Sequence, residues 1–324
     1  AALIRPWVGV ISATWQLALI RVGDRIGKGI RTSPRDALIA ESCAPELRGR
    51  AFGFHRAMDH LGAAIGPILA TAFLWFWPDQ IRTLFLLALI PGLAVTALVL
   101  FGLQEPPKDP VVASTESSGL GPDSTPRESE ARLFSFRGLG QFDSNFRRFL
   151  LALLIFSLGN SSDAFLLLRA EELGVPRMML PVLWCLFHLM KSASNVWCGN
   201  GVDRFGPMWF ILTGWGLYAT VYLGFAVATN AWQVCVLFLG YSLFYGLTEP
   251  AEKTLVALLA GPERKGLAFG WFNFSIGIST LPASLLFGAI YQQFGPFAAF
   301  GTGAGLALVA AMLVGSVKVP AKSA

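Results

Sequence analysis

Seven runs of about 20 apolar residues follow one another along this chain, and each is long enough to cross a lipid bilayer. They occupy residues 52–77, 82–103, 148–168, 178–197, 208–228, 268–290 and 296–317. Segments 15–40 and 232–257 begin apolar and become polar, and residues 1–13 resemble the end of another span. The sequence therefore predicts an all-α polytopic membrane protein with nine whole helices and a stub.

The composition excludes two common classes of soluble protein. Only 14% of the residues are charged and 54% are apolar, whereas a soluble domain carries about a quarter charged residues. A cytosolic enzyme and a nucleic-acid-binding protein are therefore not expected. The net charge of +5 fits the basic cytoplasmic loops of a membrane protein.

A long polar segment separates the spans into two groups. Residues 105–147 are rich in proline, serine, glycine and charge, a composition typical of a solvated linker. We therefore predict an N-terminal transmembrane bundle over 1–103, a cytoplasmic linker over 104–147 and a C-terminal transmembrane bundle over 148–324.

Basic residues are concentrated in alternate connections between the spans. Besides the linker and the C-terminal lysines, the richer set contains Arg48, Arg50, Arg204, Arg264 and Lys265, and the poorer set contains little more than Arg82, Arg169 and Arg177. Lysine and arginine favour cytoplasmic loops. The pattern predicts a multi-pass protein of the plasma membrane, the inner membrane of a bacterium, with its C-terminus in the cytoplasm.

The chain contains an internal repeat. Residues 15–53 align without gaps with the segment that lies 217 positions later, and 12 of the 39 aligned positions are identical. The identities cluster in a loop and the helix start after it, at Pro45, Glu46, Gly49, Ala51, Phe52 and Gly53, which argues against shared apolar composition as their cause.

Parallel repeats of this kind build several transporter folds. If the second half begins near residue 148, its partner begins about 70 residues before Ala1. We therefore expect two to three further helices upstream of this sequence, and we do not expect the present segment to transport without them.

Three short motifs resemble signatures of the major facilitator superfamily. The G-x8-G-x3-G-P spacing of its fifth-helix motif, which is associated with antiporters, is present at Gly53, Gly62, Gly66 and Pro67, although Ala70 and Thr71 replace the closing glycines. The segment GNGVDRFG resembles the loop between the eighth and ninth helices, through Gly199, Asp203, Arg204 and Gly206, but Pro207 and Met208 replace its basic ending. Arg25, Lys28 and Gly29 resemble a fourth-helix motif, with Arg31 in place of a small residue.

This resemblance implies two six-helix bundles, the first incomplete here, that move by alternating access. It assigns a gating role to the motif residues. Ordinary packing of small residues between membrane helices and anchoring of the topology by Arg204 are alternative explanations.

The most polar predicted span contains seven ionisable residues, and their full exposure to lipid would cost up to roughly 17–25 kcal/mol. They are Arg21, Asp24, Arg25, Lys28, Arg31, Arg35 and Asp36. At about 100° per residue they share an arc of about 140°, so they can line a hydrated cavity. Alternatively, the first three neutralise one another and the last three lie at the cytoplasmic edge.

We therefore predict a substrate cavity whose residues come from both halves of the chain. Its members are Arg21, Asp24, Arg25, Lys28, Arg31, Asn160, Tyr241, Tyr245 and Glu249. The excess of basic residues favours an anionic or amphiphilic substrate.

Two carboxylates inside apolar spans are candidates for proton coupling, because buried carboxylates can exchange protons near neutral pH. These are Asp163 and Glu252, with Glu249 as a further candidate. The alternative is structural pairing of Asp163 with Arg169 or with the arginines of the most polar span. The glutamates can likewise pair with Lys253, or Glu252 with Arg35. Between the bundles we predict a gating contact of Asp59 with Lys191.

These features predict a secondary active transporter, specifically a proton-coupled antiporter that exports a small amphiphilic or anionic molecule. An importer or uniporter of organic anions and a non-transporting membrane sensor are the alternatives. The chain has no motif of an enzyme, metal site or cofactor site, so we expect none of these. The expected partners are the bilayer, protons and the substrate, with the protein acting as a monomer.

Overall fold

The computed structural model describes residues 14–102, 136–261 and 263–319. Side chains are described throughout these ranges except at 14, 15, 17, 18, 21–26, 28, 99, 100, 136 and 137.

The described chain is helical and contains no strand. Its helices are α1 (Thr14–Glu41), α2 (Arg48–Phe76), α3 (Ile81–Leu87), α4 (Leu89–Gly102), α5 (Ser144–Gly159), α6 (Ala164–Glu172), α7 (Leu180–Phe205), α8 (Pro207–Val227), α9 (Ala231–Leu259) and α10 (Lys265–Gly315). Short 3-10 turns lie at Pro45–Leu47, Phe136–Gln141 and Arg177–Met179. The predicted all-α class is confirmed.

Six stretches of the described chain are long and apolar enough to cross a bilayer. They are Pro45–Phe76, Ile81–Leu98, Ser144–Glu172, Pro207–Val227, Ala231–Leu259 and Lys265–Gly315. The last contains two predicted spans, 268–290 and 296–317, which are separated at Gly295, where φ is +80°. Helices α1 and α7 match the predicted spans 15–40 and 178–197 but are too polar to be among the six.

The predicted span 148–168 lies within the membrane-length stretch Ser144–Glu172, but the helix breaks in its middle. Helix α5 ends at Gly159 and α6 begins at Ala164. The intervening residues are Asn160, Ser161, Ser162 and Asp163, whose short polar side chains compete for backbone hydrogen bonds and disfavour a helix interior.

At the other end of α5, Asp143 accepts a hydrogen bond from the backbone N–H of Ser144, which lowers the pKa of Asp143.

The chain divides into two compact units. One comprises residues 1–31 and 72–141, and the other comprises 32–71 and 142–324. The second unit has an aromatic core in which Phe156 stacks on Trp215 at a centroid distance of 4.6 Å and contacts Tyr218 at 5.0 Å. It therefore packs the end of α1 and most of α2 with the C-terminal helices. The division into bundles at the linker 104–147 stays a prediction.

Candidate functional site

A buried ion pair joins α1 to α9 within the second unit. The Nζ atom of Lys253 lies 2.9 Å from both carboxylate oxygens of Asp36, and the two side chains are 4% and 0% exposed. Arg35 adds a second contact with Asp36, at 3.1 Å. Burial at this depth is sustained only by close pairing, since an isolated charge would be strongly disfavoured.

The repeat makes Asp36 and Lys253 equivalent, because they are 217 residues apart. Phe52 and Phe269, which have the same offset, also touch, with ring centroids 5.8 Å apart. Two residues that a repeat relates can touch only if they lie beside the symmetry axis between the repeated segments. These two contacts therefore mark that axis within the second unit.

Glu249 on α9 is the centre of a second charged cluster. Its carboxylate lies 2.9 Å from Nη2 of Arg56 and 2.8 Å from Nε2 of His60, both on α2. Asn195 on α7 donates a further hydrogen bond, at 3.3 Å. The side chain of Glu249 is only 12% exposed, so residues of two neighbouring helices, α2 and α7, satisfy one nearly buried carboxylate.

The predicted contact of Asp59 with Lys191 is wrong. Asp59 lies 3.5 Å from Arg56 and 3.8 Å from His55. The ammonium of Lys191, which is 4% exposed, lies over the ring of Tyr245 at 3.2 Å from its centroid. Neighbours on its own helix thus satisfy Asp59, and an aromatic ring holds Lys191 by a cation–π contact.

Four of the predicted site residues meet at the break between α5 and α6. Asp163 accepts hydrogen bonds from the hydroxyls of Tyr245, at 2.9 Å, and Tyr241, at 3.2 Å. Tyr241 also lies 3.4 Å from the side-chain oxygen of Asn160. The alternative pairing of Asp163 with Arg169 is not formed, because Arg169 contacts Glu172 at 3.2 Å. The role of this group in a substrate cavity stays a prediction.

Glu252 is buried, at 8% exposure, and accepts a hydrogen bond from the indole nitrogen of Trp215 at 3.1 Å. The alternative pairings with Arg35 and Lys253 are wrong, since both of those cations contact Asp36. A neutral donor therefore holds this carboxylate, and its role in proton coupling stays a prediction.

A cavity of about 230 Å³ lies among these groups in the second unit. Its polar lining consists of Thr32, Arg35, Arg56, Ser157, Asn160, Tyr245, Thr248, Glu249, Glu252, Lys253 and Asn273. Three cations and two carboxylates thus line one cavity, where a polar ligand can form hydrogen bonds and ion pairs with them.

The predicted loop motif caps a helix. Asp203, near the end of α7, accepts hydrogen bonds from the backbone N–H groups of Gly49, at 2.6 Å, and Arg50, at 2.9 Å. These are free donors at the start of α2. Gly206 follows with φ of +87° and ends α7, and Arg204 lies over the ring of Phe205 at 5.1 Å.

We expect Asp203→Ala to destabilise the protein by about 1–2 kcal/mol, because the α2 N-terminus loses its cap and a favourable charge. Unfolding of the purified protein in detergent micelles measures this change. Arg204→Gln is the matched control and should shift the midpoint far less. An equal shift in both variants would contradict the cap.

Small residues allow α2 and α7 to approach closely beside this cap. A Cβ added to Gly49 would lie 2.6 Å from the carbonyl oxygen of Gly199, and one added to Gly53 would overlap the carbonyl oxygen of Asn195. At Gly62 and Gly66, in contrast, an added Cβ meets nothing within 4 Å among the described residues. Pro67 lies inside α2. The fifth-helix motif thus has one close contact, at its first glycine, and its gating role stays a prediction.

Several predicted residues lie elsewhere. The side chains of Arg21, Asp24, Arg25 and Lys28 are outside the described residues, and Arg31 is exposed. The predicted cavity and proton-coupling residues did not include Arg35, Arg56, His60, Asn195, Trp215 and Lys253. The signal that could have found them is their polar or amphipathic character within apolar helices. Among the described residues, no group of three or more histidine, cysteine, aspartate or glutamate side chains could hold a metal ion.

The membrane-length helices and the buried ion pairs define a polytopic membrane protein. Residues 1–190 and 151–324 match the Major Facilitator Superfamily. The uncharacterized MFS-type transporter MJ1317 of Methanocaldococcus jannaschii is 29% identical over 312 residues, which cover 94% of this chain and 73% of that protein. The uncharacterized protein Rv2265 of Mycobacterium tuberculosis is 25% identical over 296 residues, with 89% and 67% covered.

The fold is also similar to that of a solved transporter. The crystal structure of the human organic anion transporter MFSD10 has a TM-score of 0.76 and 18% identity, over 97% of this chain and 74% of that one. At this identity the likeness shows the fold alone. Together with the family match, which spans the whole chain, it shows that this chain belongs to the Major Facilitator Superfamily. The protein is a multi-pass membrane transporter rather than an enzyme.

Proposed function

We propose that the protein is a secondary active transporter that couples proton movement to that of a small anionic or amphiphilic molecule. The observation that carries the proposal is the charged cavity, which Arg35, Arg56 and Lys253 line together with Glu249 and Glu252. Transporters of this kind bind substrate and coupling ion near the middle of the membrane.

Three carboxylates, of which Glu252 is buried and Asp163 and Glu249 are half-buried, supply the means of proton coupling. Asp163 is held by two tyrosine hydroxyls, Glu249 by a guanidinium and an imidazole, and Glu252 by an indole. Ionisable residues at such depth are costly and are typical of ion and proton pathways. Protons are therefore proposed as the coupling ion.

Export by antiport is a finer proposal, and it rests on the fifth-helix motif that begins at Gly53. Uptake or uniport of an organic anion is the alternative. We further propose a monomer in the bacterial inner membrane with a cytoplasmic C-terminus. The distribution of lysine and arginine supports the orientation of the C-terminus.

Flux measurements in proteoliposomes test the proposal. Vesicles that contain the full-length protein should accumulate radiolabelled p-aminohippurate, a small aromatic carboxylate, when a pH gradient is imposed. A protonophore should abolish the accumulation, since it removes the driving force. Tetraethylammonium is the matched cationic probe and should not accumulate.

Two outcomes would contradict this function. Movement of tetraethylammonium instead of p-aminohippurate would show that the substrate class is wrong. Binding of p-aminohippurate without flux would identify a sensor rather than a transporter.

A further inference from the structure

We infer that Glu249 is a tethered competitor for the anion-binding side chains of the cavity, so that a proton and an anionic substrate bind together. The inference rests on the proposed function and specifies the sign of its coupling.

The geometry begins with the partners of Glu249. Arg56 and His60 contact its two carboxylate oxygens at 2.9 and 2.8 Å. A guanidinium and an imidazole are the groups that bind a carboxylate strongly and with defined geometry. The carboxylate of Glu249 therefore occupies the position that the carboxylate of a substrate would take.

Two of these groups, Arg56 and Glu249, are reachable from the cavity. Arg56 and Glu249 both line it, beside Tyr245 and Asn160. The Nε atom of Arg56 is buried and has no hydrogen-bond partner among the described residues. Arginine has five N–H donors, so this guanidinium retains capacity for a second acceptor.

Ionised Glu249 and an anionic substrate cannot share Arg56 without repulsion, because two carboxylates at one site strongly disfavour double ionisation. When Glu249 takes up a proton, its carboxylate becomes a neutral carboxylic acid and Arg56 stays a cation. The released guanidinium can then bind the substrate. Proton binding thus favours anion binding, and by linkage anion binding favours proton uptake to the same extent.

The charged and titratable groups around Glu249 come from every helix packed against it, and most have partners of their own. On α2, His55 and Arg56 contact Asp59. On α7, Lys191 lies over Tyr245, and the ring of His188 is 5.5 Å from that of His60. Glu252 accepts a hydrogen bond from Trp215. Asp36 pairs with both Lys253 and Arg35. Asp163 accepts hydrogen bonds from Tyr241 and Tyr245.

His60, the other partner of Glu249, carries no negative charge in any form, so it cannot replace the repulsion that protonation of Glu249 removes. The neighbouring groups therefore do not reverse the sign. For an anionic substrate this sign means that proton and anion cross together, which is symport and departs from the antiport proposed above from the fifth-helix motif. A cationic substrate would compete with the proton and give antiport. The sign of the linkage decides between the two.

Equilibrium binding of tritiated p-aminohippurate to the purified full-length protein tests the inference. The affinity of the unaltered protein should fall as the pH rises from about 5.5 to about 8, a range in which the probe stays ionised. Glu249→Gln keeps the shape of the side chain and removes its charge. This variant should bind the probe about tenfold more tightly than the unaltered protein at pH 8, which is about 1.4 kcal/mol.

Two further variants make the test specific. Glu171→Gln, at an exposed glutamate that pairs with Arg177, should follow the unaltered protein. Adding Arg56→Ala to Glu249→Gln should remove the gain, since the contested cation is then absent.

Each failure has a distinct meaning. If the probe binds but its affinity does not fall with pH, or Glu249→Gln gives no gain, the competition is wrong and the anionic substrate class survives. If no variant binds the probe at any pH, the anionic substrate class and this inference are both overturned.

Discussion

Asp36→Ala should destabilise the protein by about 3–5 kcal/mol, the largest effect that we expect of any single substitution. Asp36 is fully buried and Lys253 is 4% exposed. Removal of the Asp36 carboxylate leaves the ammonium of Lys253 in the protein interior without its ion-pair partner. The loss therefore reflects the stranded cation rather than the net value of the pair.

Unfolding of the purified protein in micelles measures this effect. Asp79→Asn is the matched control, because Asp79 is exposed in the loop before α3, and its midpoint should stay close to that of the unaltered protein. The exchanged pair Asp36→Lys with Lys253→Asp should recover part of the loss. If Asp36→Ala unfolds like the control, the ion pair has no structural role.

Gly53→Ala should cost about 1–3 kcal/mol, because the added methyl group meets backbone rather than a movable side chain. The carbonyl oxygen of Asn195 lies where the new Cβ must go, and the Cα of Gly199 is 3.0 Å from it. Helices α2 and α7 must then separate, which also strains the cap that Asp203 provides to α2. The same unfolding measurement detects the loss.

Gly62→Ala and Gly66→Ala are the controls for this prediction, since their new methyl groups meet nothing within 4 Å among the described residues. Alanine favours a helix by roughly 0.5–1 kcal/mol over glycine, so both should be neutral or stabilising. Loss of stability at these positions, with none at Gly53, would show that the motif acts by another route.

The sequence predicted the helices well where a continuous run of about 20 apolar residues marks the span. Apolar runs located the spans at 52–77 and 208–228 close to α2 and α8, and the repeat aligned residues that prove to be in contact. The break at Asn160–Asp163 was missed because hydropathy averages over a window, and four polar residues do not end an apolar run.

The pairing of buried charges could not be predicted from the sequence. The helical periodicity of residues 21–36 places Arg35 and Asp36 on one face of the helix. It contains no information on which distant helix meets that face. Glu249 and Glu252 are three positions apart on α9, yet one meets a guanidinium and the other an indole. Such partners depend on tertiary packing, which local periodicity does not encode.

The contacts beside the symmetry axis limit how a protein of this kind can arise by gene duplication. Two identical halves could share the contact of Phe52 with Phe269, because an aromatic ring packs well against its own copy. They could not share the contact of Asp36 with Lys253, since two copies of either residue would bring like charges together in the interior. At that position the descendants had to acquire opposite charges, so the ion pair dates from after the ancestral copies diverged.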